Sequence, residues 1–181
     1  MLPISSAIML LVAGTDISVR ADFEGGSVKV IAIDQQAREV TFTPGGNPAR
    51  GWPCWWHFRI DGAQPGETIK LKLLASTAVT DKPGSKPLAA SWSRPSNAAW
   101  SADGIEWRQT APGATEGDAM TYKVEVAGAS VFVAWGPPCT PSTVADWMRR
   151  WSATCPAAKV EELATARIAN GILESGAARP E

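Results

Sequence analysis

Short segments in which apolar and polar residues alternate, separated by glycine- and proline-rich turns, run through most of the chain. Residues 68–74 (TIKLKLL) place an apolar side chain at every second position, and residues 39–43 (EVTFT) repeat the pattern with Val40 and Phe42. Because the side chains of a strand point alternately to its two faces, each segment predicts a strand with one buried face. About eight such strands, with no helical segment between them, predict an all-β fold, an antiparallel β-sandwich over residues 22–138.

The remaining strands follow from the same reading of the sequence. They are predicted at residues 28–33, 55–60, 99–101, 105–108, 122–126 and 130–135. The last of them is apolar on both faces, which is typical of a central strand. Asp103 and Gly104 form a hairpin turn, since both residues tolerate a positive φ. Residues 75–96 are a long connection rich in Pro, Ser, Gly and Lys, with a short strand suggested at residues 89–93.

The densest aromatic segment, residues 47–60, contains three tryptophans, one phenylalanine and the single histidine of the chain. In a strand over residues 55–60, Trp56, Phe58 and Ile60 share one face and are predicted to be core. The other face carries Trp55, His57 and Arg59, which we expect to meet a neighbouring layer or a partner, with His57 half-exposed. Trp52 precedes the strand and is a further candidate for that surface.

A helix is predicted after the last strand, over residues 139–155. Thr140 is a suitable N-cap and Pro141 a suitable first helical residue. The helix has one apolar face, formed by Val144, Trp147, Met148 and Trp151. Residues 156–181 are interpreted as the truncated start of a following domain or as a tail, in which residues 159–169 are a second helix or a strand.

Residues 1–21 are interpreted as a secretory signal or as a disordered start. The apolar run at residues 8–13 is too short to span a bilayer but suits the apolar region of a signal, and residues 19–21 suit a cleavage site. No basic residue precedes the run, so a first strand remains an alternative. The first interpretation predicts a secreted or periplasmic protein, and the second a cytoplasmic one.

Nine tryptophans against one tyrosine allow two interpretations. Most of the tryptophans are predicted to fill the core, because large rings dominate protein interiors. A platform for sugar rings or for a partner domain is the other interpretation. The net charge of −1 and the absence of a basic stripe argue against nucleic acid as a partner, and no membrane partner is expected once any signal is removed.

The single histidine limits the chemistry of the chain. It excludes a zinc site with two histidine ligands, and Cys54 and His57 point to opposite faces of a strand, which disfavours a cysteine-based site. No Gly-x-Ser-x-Gly motif accompanies His57, so a Ser-His-acid triad is not predicted. A bridge between Cys54 and Cys139 and free buried thiols, including Cys155, both remain open. We predict no catalytic residue, no metal ligand and no cofactor in this chain.

Three motifs occur in an order that resembles a known family. Residues 22–27 (DFEGGS) come first, residues 47–60 (NPARGWPCWWHFRI) follow, and residues 131–138 (VFVAWGPP) precede the helix. This pattern resembles the N-terminal β-sandwich domain of cytosolic-type zinc metallocarboxypeptidases over about residues 21–151. In that family the zinc ligands, the general base and the arginine that binds the substrate carboxylate lie in a separate catalytic domain, so none can be carried over to this chain.

The resemblance implies a non-catalytic accessory domain that packs on a carboxypeptidase catalytic domain, supplied in cis or in trans. Zinc is expected only in that second domain. The candidate interface or ligand-facing residues are Trp52, Trp55, His57, Arg59, Trp147 and Trp151. The alternative is a stand-alone carbohydrate-binding β-sandwich, which would require a coplanar row of exposed tryptophans on one sheet face.

Overall fold

The computed structural model describes residues 15–47, 49 and 51–155, together with the backbone of residues 165–169 and 172–176. These residues form two compact units, which divide after Pro138. The first unit contains ten strands in two five-stranded sheets. The predicted signal segment over residues 1–14 lies outside the described residues.

Sheet 1 contains, in spatial order, β1 (Ser18–Arg20), β4 (His57–Asp61), β10 (Ser130–Ala134), β6 (Ala99–Ser101) and β7 (Arg108–Gln109). Sheet 2 contains β2 (Lys29–Asp34), β3 (Glu39–Thr43), β5 (Thr68–Leu74), β9 (Ala119–Glu125) and β8 (Ala114–Glu116). The predicted all-β sandwich is confirmed. One strand pair, β3 with β5, is parallel, because the chain crosses to sheet 1 through β4 before it returns to sheet 2.

The core lies between the two sheets and is centred on aromatic side chains. The ring of Phe42 in sheet 2 lies 4.8 Å from that of Phe58 and 5.2 Å from that of Trp56, both from the opposite layer. All three side chains are fully buried. Rings of this size bury a large apolar area each, so this contact across the layers is a major source of stability.

The predicted alternation is confirmed in the strands that flank this core. The inward side chains Val40, Phe42, Ile69, Leu71 and Leu73 have no solvent exposure. The predicted core residues Trp56, Phe58 and Ile60 are equally buried. The strand predicted to be central, β10, lies between β4 and β6 in the middle of sheet 1.

Several regions differ from the prediction, and one of them is the strand predicted at residues 105–108, because β7 begins only at Arg108. Residues 90–92 form a short 3₁₀ helix rather than a strand. Residues 15–21 are packed on the sandwich, as in the first-strand alternative, because Ile17 is only 2% exposed and β1 pairs with β4. The Gln35 side chain bonds both the N–H and the carbonyl of Ile17, at 2.8 Å each.

The end of the sandwich beyond the last residue of β4 is closed by Arg38. Its guanidinium forms an ion pair with Glu67 and donates to the carbonyls of Thr15 at 3.1 Å and Gly62 at 3.0 Å. Gly62 has a φ of +85°, and a Cβ there would lie 2.1 Å from the Asp16 carbonyl oxygen. Only glycine therefore fits this crossing.

The second unit contains the predicted helix α1 (Pro141–Thr154) and the hairpin of β11 (Thr165–Ala169) and β12 (Ile172–Gly176). The Thr140 hydroxyl accepts the Thr143 N–H at 3.2 Å, which confirms the predicted N-cap. β12 occupies residues that the sequence suggests as a tail. All three cysteines are free thiols, with Cys54 half-buried and the other two exposed.

Candidate functional site

Four aromatic side chains hold the long connection after β5 through their polar atoms. Trp52 Nε1 donates to the Lys86 carbonyl at 2.8 Å, Trp56 Nε1 to Ser93 at 3.0 Å and Trp135 Nε1 to Trp92 at 3.1 Å. The Tyr122 hydroxyl donates to the Pro95 carbonyl at 2.7 Å. Each of the four donors thereby has a backbone carbonyl partner, and the connection is fixed at four points along residues 86–95.

Three large rings in this connection or hydrogen-bonded to it remain in contact with solvent. Trp92 is 65% exposed, Trp52 is 45% exposed and Trp135 is 40% exposed. We call these three residues the indole surface. It lies at the end of the sandwich where β4 begins and β10 ends, since Trp135 follows β10 directly and its N–H bonds the Trp56 carbonyl at 2.9 Å. The chain leaves the first unit at this end.

His57 is not half-exposed as predicted but is buried, with 5% exposure. Its ring lies 4.9 Å from Phe23, 5.5 Å from Trp107 and 6.3 Å from Phe132. Phe23 comes from the loop before β2 and Trp107 from the loop after β6, so two loops cover this part of sheet 1. His57 is therefore not part of an accessible surface, contrary to the half-exposed position expected from the sequence.

The environment of His57 favours the neutral imidazole. Burial lowers the pKa of His57, and the nearby Gly25 backbone opposes that shift to a smaller extent. Neither ring nitrogen has a hydrogen-bond partner of ordinary geometry within the described part of the chain. A general base needs a reachable proton donor and usually a group that orients it, and His57 has neither.

The two other outward residues of β4 and its flank are engaged within the domain. The Trp55 indole donates to the Gly25 carbonyl at 3.0 Å. The Arg59 guanidinium lies 5.5 Å from the centre of the Phe132 ring and pairs with Asp61 at 2.7 Å. The predicted outward trio therefore forms part of the aromatic cover of sheet 1.

The predicted candidates on α1 are exposed. Trp147 is 44% exposed and Trp151 is 59% exposed, and their rings lie 6.3 Å apart with an interplanar angle of 30°. No residue of α1 is buried. The apolar face predicted from the spacing is present, and its role as an interface stays a prediction.

The described residues include neither a cluster of metal-ligating side chains nor a long apolar helix. No group of three or more His, Cys, Asp or Glu side chains lies close enough to hold a metal ion there. Within the same residues, no helix has both the length and the apolar character needed to cross a bilayer.

A sugar-binding platform would need exposed rings in a row on a sheet face. The exposed tryptophans lie instead in the loop before β4, in the 3₁₀ helix, after β10 and on α1. Trp100, which is in strand β6, packs against the core. The structure therefore gives no support to the carbohydrate-binding alternative.

Sequence reasoning missed Trp92 and Trp135 as surface residues. The sequence places Trp135 in a buried strand, but β10 ends one residue earlier. The sequence suggests a strand at Trp92, whereas this residue lies in a 3₁₀ helix and its ring is exposed. The available signal was positional, since Trp135 immediately precedes the run Gly136, Pro137, Pro138.

A family model described as the cytosolic carboxypeptidase N-terminal domain matches residues 19–135. This match covers all ten strands of the two sheets except the first residue of β1. It confirms the resemblance drawn from the sequence, and its description agrees with the cytoplasmic alternative for location. A search of curated proteins returned no match.

Solved metallo-carboxypeptidases share the fold. The enzyme from Burkholderia cenocepacia superposes with a TM-score of 0.64 at 21% identity, over 88% of this chain and 39% of its own. The enzyme from Pseudomonas aeruginosa, solved with (2-guanidinoethylmercapto)succinic acid, gives 0.62 at 20% identity, over 87% of this chain and 39% of its own. This chain thus spans about two fifths of the length of these proteins.

Proposed function

The chain belongs to the family of cytosolic carboxypeptidase N-terminal domains, and on that basis we propose that it is a non-catalytic accessory domain that packs on the catalytic domain of a zinc metallocarboxypeptidase. The partner is supplied in cis by a longer polypeptide or in trans by a second one. The observation that carries the proposal is the indole surface at the end of the sandwich from which the chain continues.

The composition of that surface supports a protein partner. Tryptophan is enriched in the central contacts of protein interfaces, and a monomeric protein rarely exposes several large rings together. Trp92 alone leaves 65% of its surface in water. Covering such rings removes apolar area from water, which stabilises the covered state.

The indole surface is also fixed in position before any partner arrives. The Trp52 and Trp135 N–H groups already have carbonyl acceptors in the connection that bears Trp92. A partner therefore meets two rings, Trp52 and Trp135, whose polar atoms are satisfied and whose rotation is restricted. Prior ordering of this kind lowers the entropy cost of association.

The position of the surface along the chain agrees with this role. The match to a domain described as N-terminal ends at residue 135, and about three fifths of the Burkholderia cenocepacia enzyme lies outside its match with this chain. A domain that follows Trp135 in sequence is well placed to cover rings beside Trp135. The zinc and its ligands would belong to that domain, because the described residues of this chain do not assemble a ligand set.

A chimera tests the packing. The part of the Burkholderia cenocepacia enzyme that aligns with this chain is replaced by the sandwich, and thermal unfolding is followed by calorimetry. We expect one cooperative transition. Trp92→Ala should lower its midpoint temperature, because the substitution removes about 2 kcal/mol or more of interface energy. Two separate transitions at the temperatures of the isolated parts would contradict the proposal.

The matched control is Ile105→Ala, because Ile105 is 71% exposed and lies in the loop after β6, outside the indole surface. It should leave the transition of the chimera unchanged. The isolated chain is also assayed with peptides and added zinc, and we expect no turnover. Zinc-dependent release of C-terminal residues by this chain alone would overturn its non-catalytic role.

A further inference from the structure

β2, one of the two outer strands of sheet 2, has a free edge with apolar side chains. It pairs only with β3, on one side. Val30 is 38% exposed and Ile31 is 51% exposed. An edge strand with unpaired backbone groups and exposed apolar residues can accept another strand, and natural proteins usually protect such edges.

A bulge in β2 places its two charged residues on the same face of the sheet. Lys29 lies opposite Thr43 and Asp34 lies opposite Glu39, and the register shifts by one residue between Val30 and Ala32. Lys29 and Asp34 are five positions apart, so a regular strand would direct them to opposite faces. The extra residue at the bulge brings both to the outer face of sheet 2.

These two charges have no ion-pair partner among the described residues. Asp34 lies opposite Glu39, whose carboxylate is engaged with Lys70 at 3.1 Å. The Asp34 carboxylate accepts the Ala37 N–H at 2.8 Å, which fixes the turn after the strand. Like charges directly opposite each other are unfavourable, so a cation beside Asp34 would be favourable.

We propose that β2 is a self-association surface, which pairs antiparallel with β2 of a second copy of this chain about a two-fold axis. The register that aligns the charges places Lys29 opposite Asp34 of the second copy, and Asp34 opposite its Lys29. The same register places Val30 opposite Ile33 of the second copy, and both residues lie on the inner face, opposite Phe42 and Val40. The strand is thus complementary to itself in charge and in apolar pattern.

A two-fold axis is the symmetry that such a strand requires, because the same patch serves both copies. Pairing joins the two copies of sheet 2 into one sheet of ten strands, with main-chain hydrogen bonds along the shared edge. The indole surface lies at the end of the sandwich where β4 begins and β10 ends, and it takes no part in this strand pairing. This self-association therefore does not depend on the proposed accessory role, and each can fail without the other.

Charge reversal tests the proposal through the oligomeric state. Sedimentation velocity is run on the whole chain at increasing concentration, in reducing buffer because Cys139 and Cys155 are exposed. We expect a concentration-dependent dimer. Lys29→Asp and Asp34→Lys should each raise the dissociation constant about tenfold, because each change makes two symmetric pairs repulsive.

Two further experiments restore the attraction between positions 29 and 34 of the two copies. An equimolar mixture of Lys29→Asp with Asp34→Lys should form a heterodimer, and the double variant should dimerise as the unmodified chain does. Asp34→Asn keeps the acceptor for the Ala37 N–H and separates loss of charge from loss of the turn. Lys123→Glu, on an exposed position of β9, is the control for net charge and should have no effect.

Hydrogen exchange identifies the strand involved. The amides of residues 29–34 should become protected as the concentration rises. A monomer at every concentration up to ~1 mM, or a dimer that tolerates both charge reversals, would overturn the proposal. A variant that fails to melt cooperatively is replaced by Ile31→Lys, which places a charge at the bulge and should abolish the dimer.

Discussion

The outer faces of the two sheets differ although both consist of residues that alternate with core positions. The outer face of sheet 2 carries Thr41, Lys70 and Lys123, and it lies in contact with solvent or half-buried. The outer face of sheet 1 carries His57 and Phe132, and His57 is 5% exposed. The outer face of sheet 2 is a charged surface, and the outer face of sheet 1 is a second, smaller core.

The difference arises from two loops rather than from the strands. The loop before β2 supplies Phe23, and the loop after β6 supplies Trp107, and both rings lie edge-on to His57 at 4.9 and 5.5 Å. Ring pairs of this geometry contribute beyond the area that they bury. Alternation along a strand thus indicates which residues leave the central core, but not whether they reach solvent.

The largest effect that separates the two faces is expected for Phe132→Ala. Phe132 contacts Phe23 at 5.7 Å and lies under the Arg59 guanidinium, so its removal leaves a cavity beneath both loops. We expect a loss of about 2–4 kcal/mol in the free energy of unfolding. Urea titration measures it, and Lys123→Ala on the face of sheet 2 should change stability by no more than about 0.5 kcal/mol.

Equal losses for the two variants would show that the aromatic cluster of sheet 1 is no more a core than the face of sheet 2. The comparison between the faces would then rest on exposure alone.

An intermediate effect is expected from pH, and it concerns only the face of sheet 1. Burial lowers the pKa of folded His57 below the value of 6.5 for the exposed group. The unfolded chain therefore takes up a proton first as the pH falls. The contribution of neutral His57 to the free energy of unfolding is fully present above about pH 6.5. It decreases below that pH, by at most about 1.4 kcal/mol per pH unit for one proton.

Urea titrations between pH 7.5 and 5.5 measure this slope. His57→Phe should flatten this slope, because His57 is the only histidine of the chain and its nitrogens have no hydrogen-bond partner of ordinary geometry among the described residues. An unchanged slope in that variant would mean that other groups carry the pH dependence and that His57 is protonated as readily folded as unfolded.

The parts of the fold that could be predicted from the sequence are the strands in which apolar and polar residues alternate. The apolar residue at every second position predicts four core residues, and all four are fully buried: Val40, Phe42, Ile69 and Leu71. The three-residue strands β1 and β8 are too short to show a period. The parallel pairing of β3 with β5 depends on a crossover between sheets, which no local pattern specifies.

The candidate site was less predictable because its features depend on contacts distant in sequence. His57 is buried by Phe23 and Trp107, which are 34 and 50 residues away. The exposure of Trp92 depends on a 3₁₀ turn held by the indole of Trp135, 43 residues away. The family resemblance was accessible because it depends on the order of motifs and not on such contacts.

The smallest effect is expected on the face of sheet 2, at Lys70. Its ammonium lies 3.0 Å from Glu116 and 3.1 Å from Glu39, and these carboxylates raise the pKa of Lys70. The three side chains lie at the surface and are partly exposed, so dissolved ions screen their interaction. Lys70→Met keeps much of the aliphatic side chain and should cause a small loss of stability in dilute buffer that disappears in ~0.5 M NaCl.

The salt dependence separates the two faces more sharply than the size of the loss. The destabilisation by Phe132→Ala should stay the same across the salt series, because it arises from lost packing and not from charge. If the effect of Lys70→Met also persists in high salt, the cluster on sheet 2 is held by packing of the lysine stem. The face of sheet 2 would then resemble that of sheet 1 more closely than its exposure indicates.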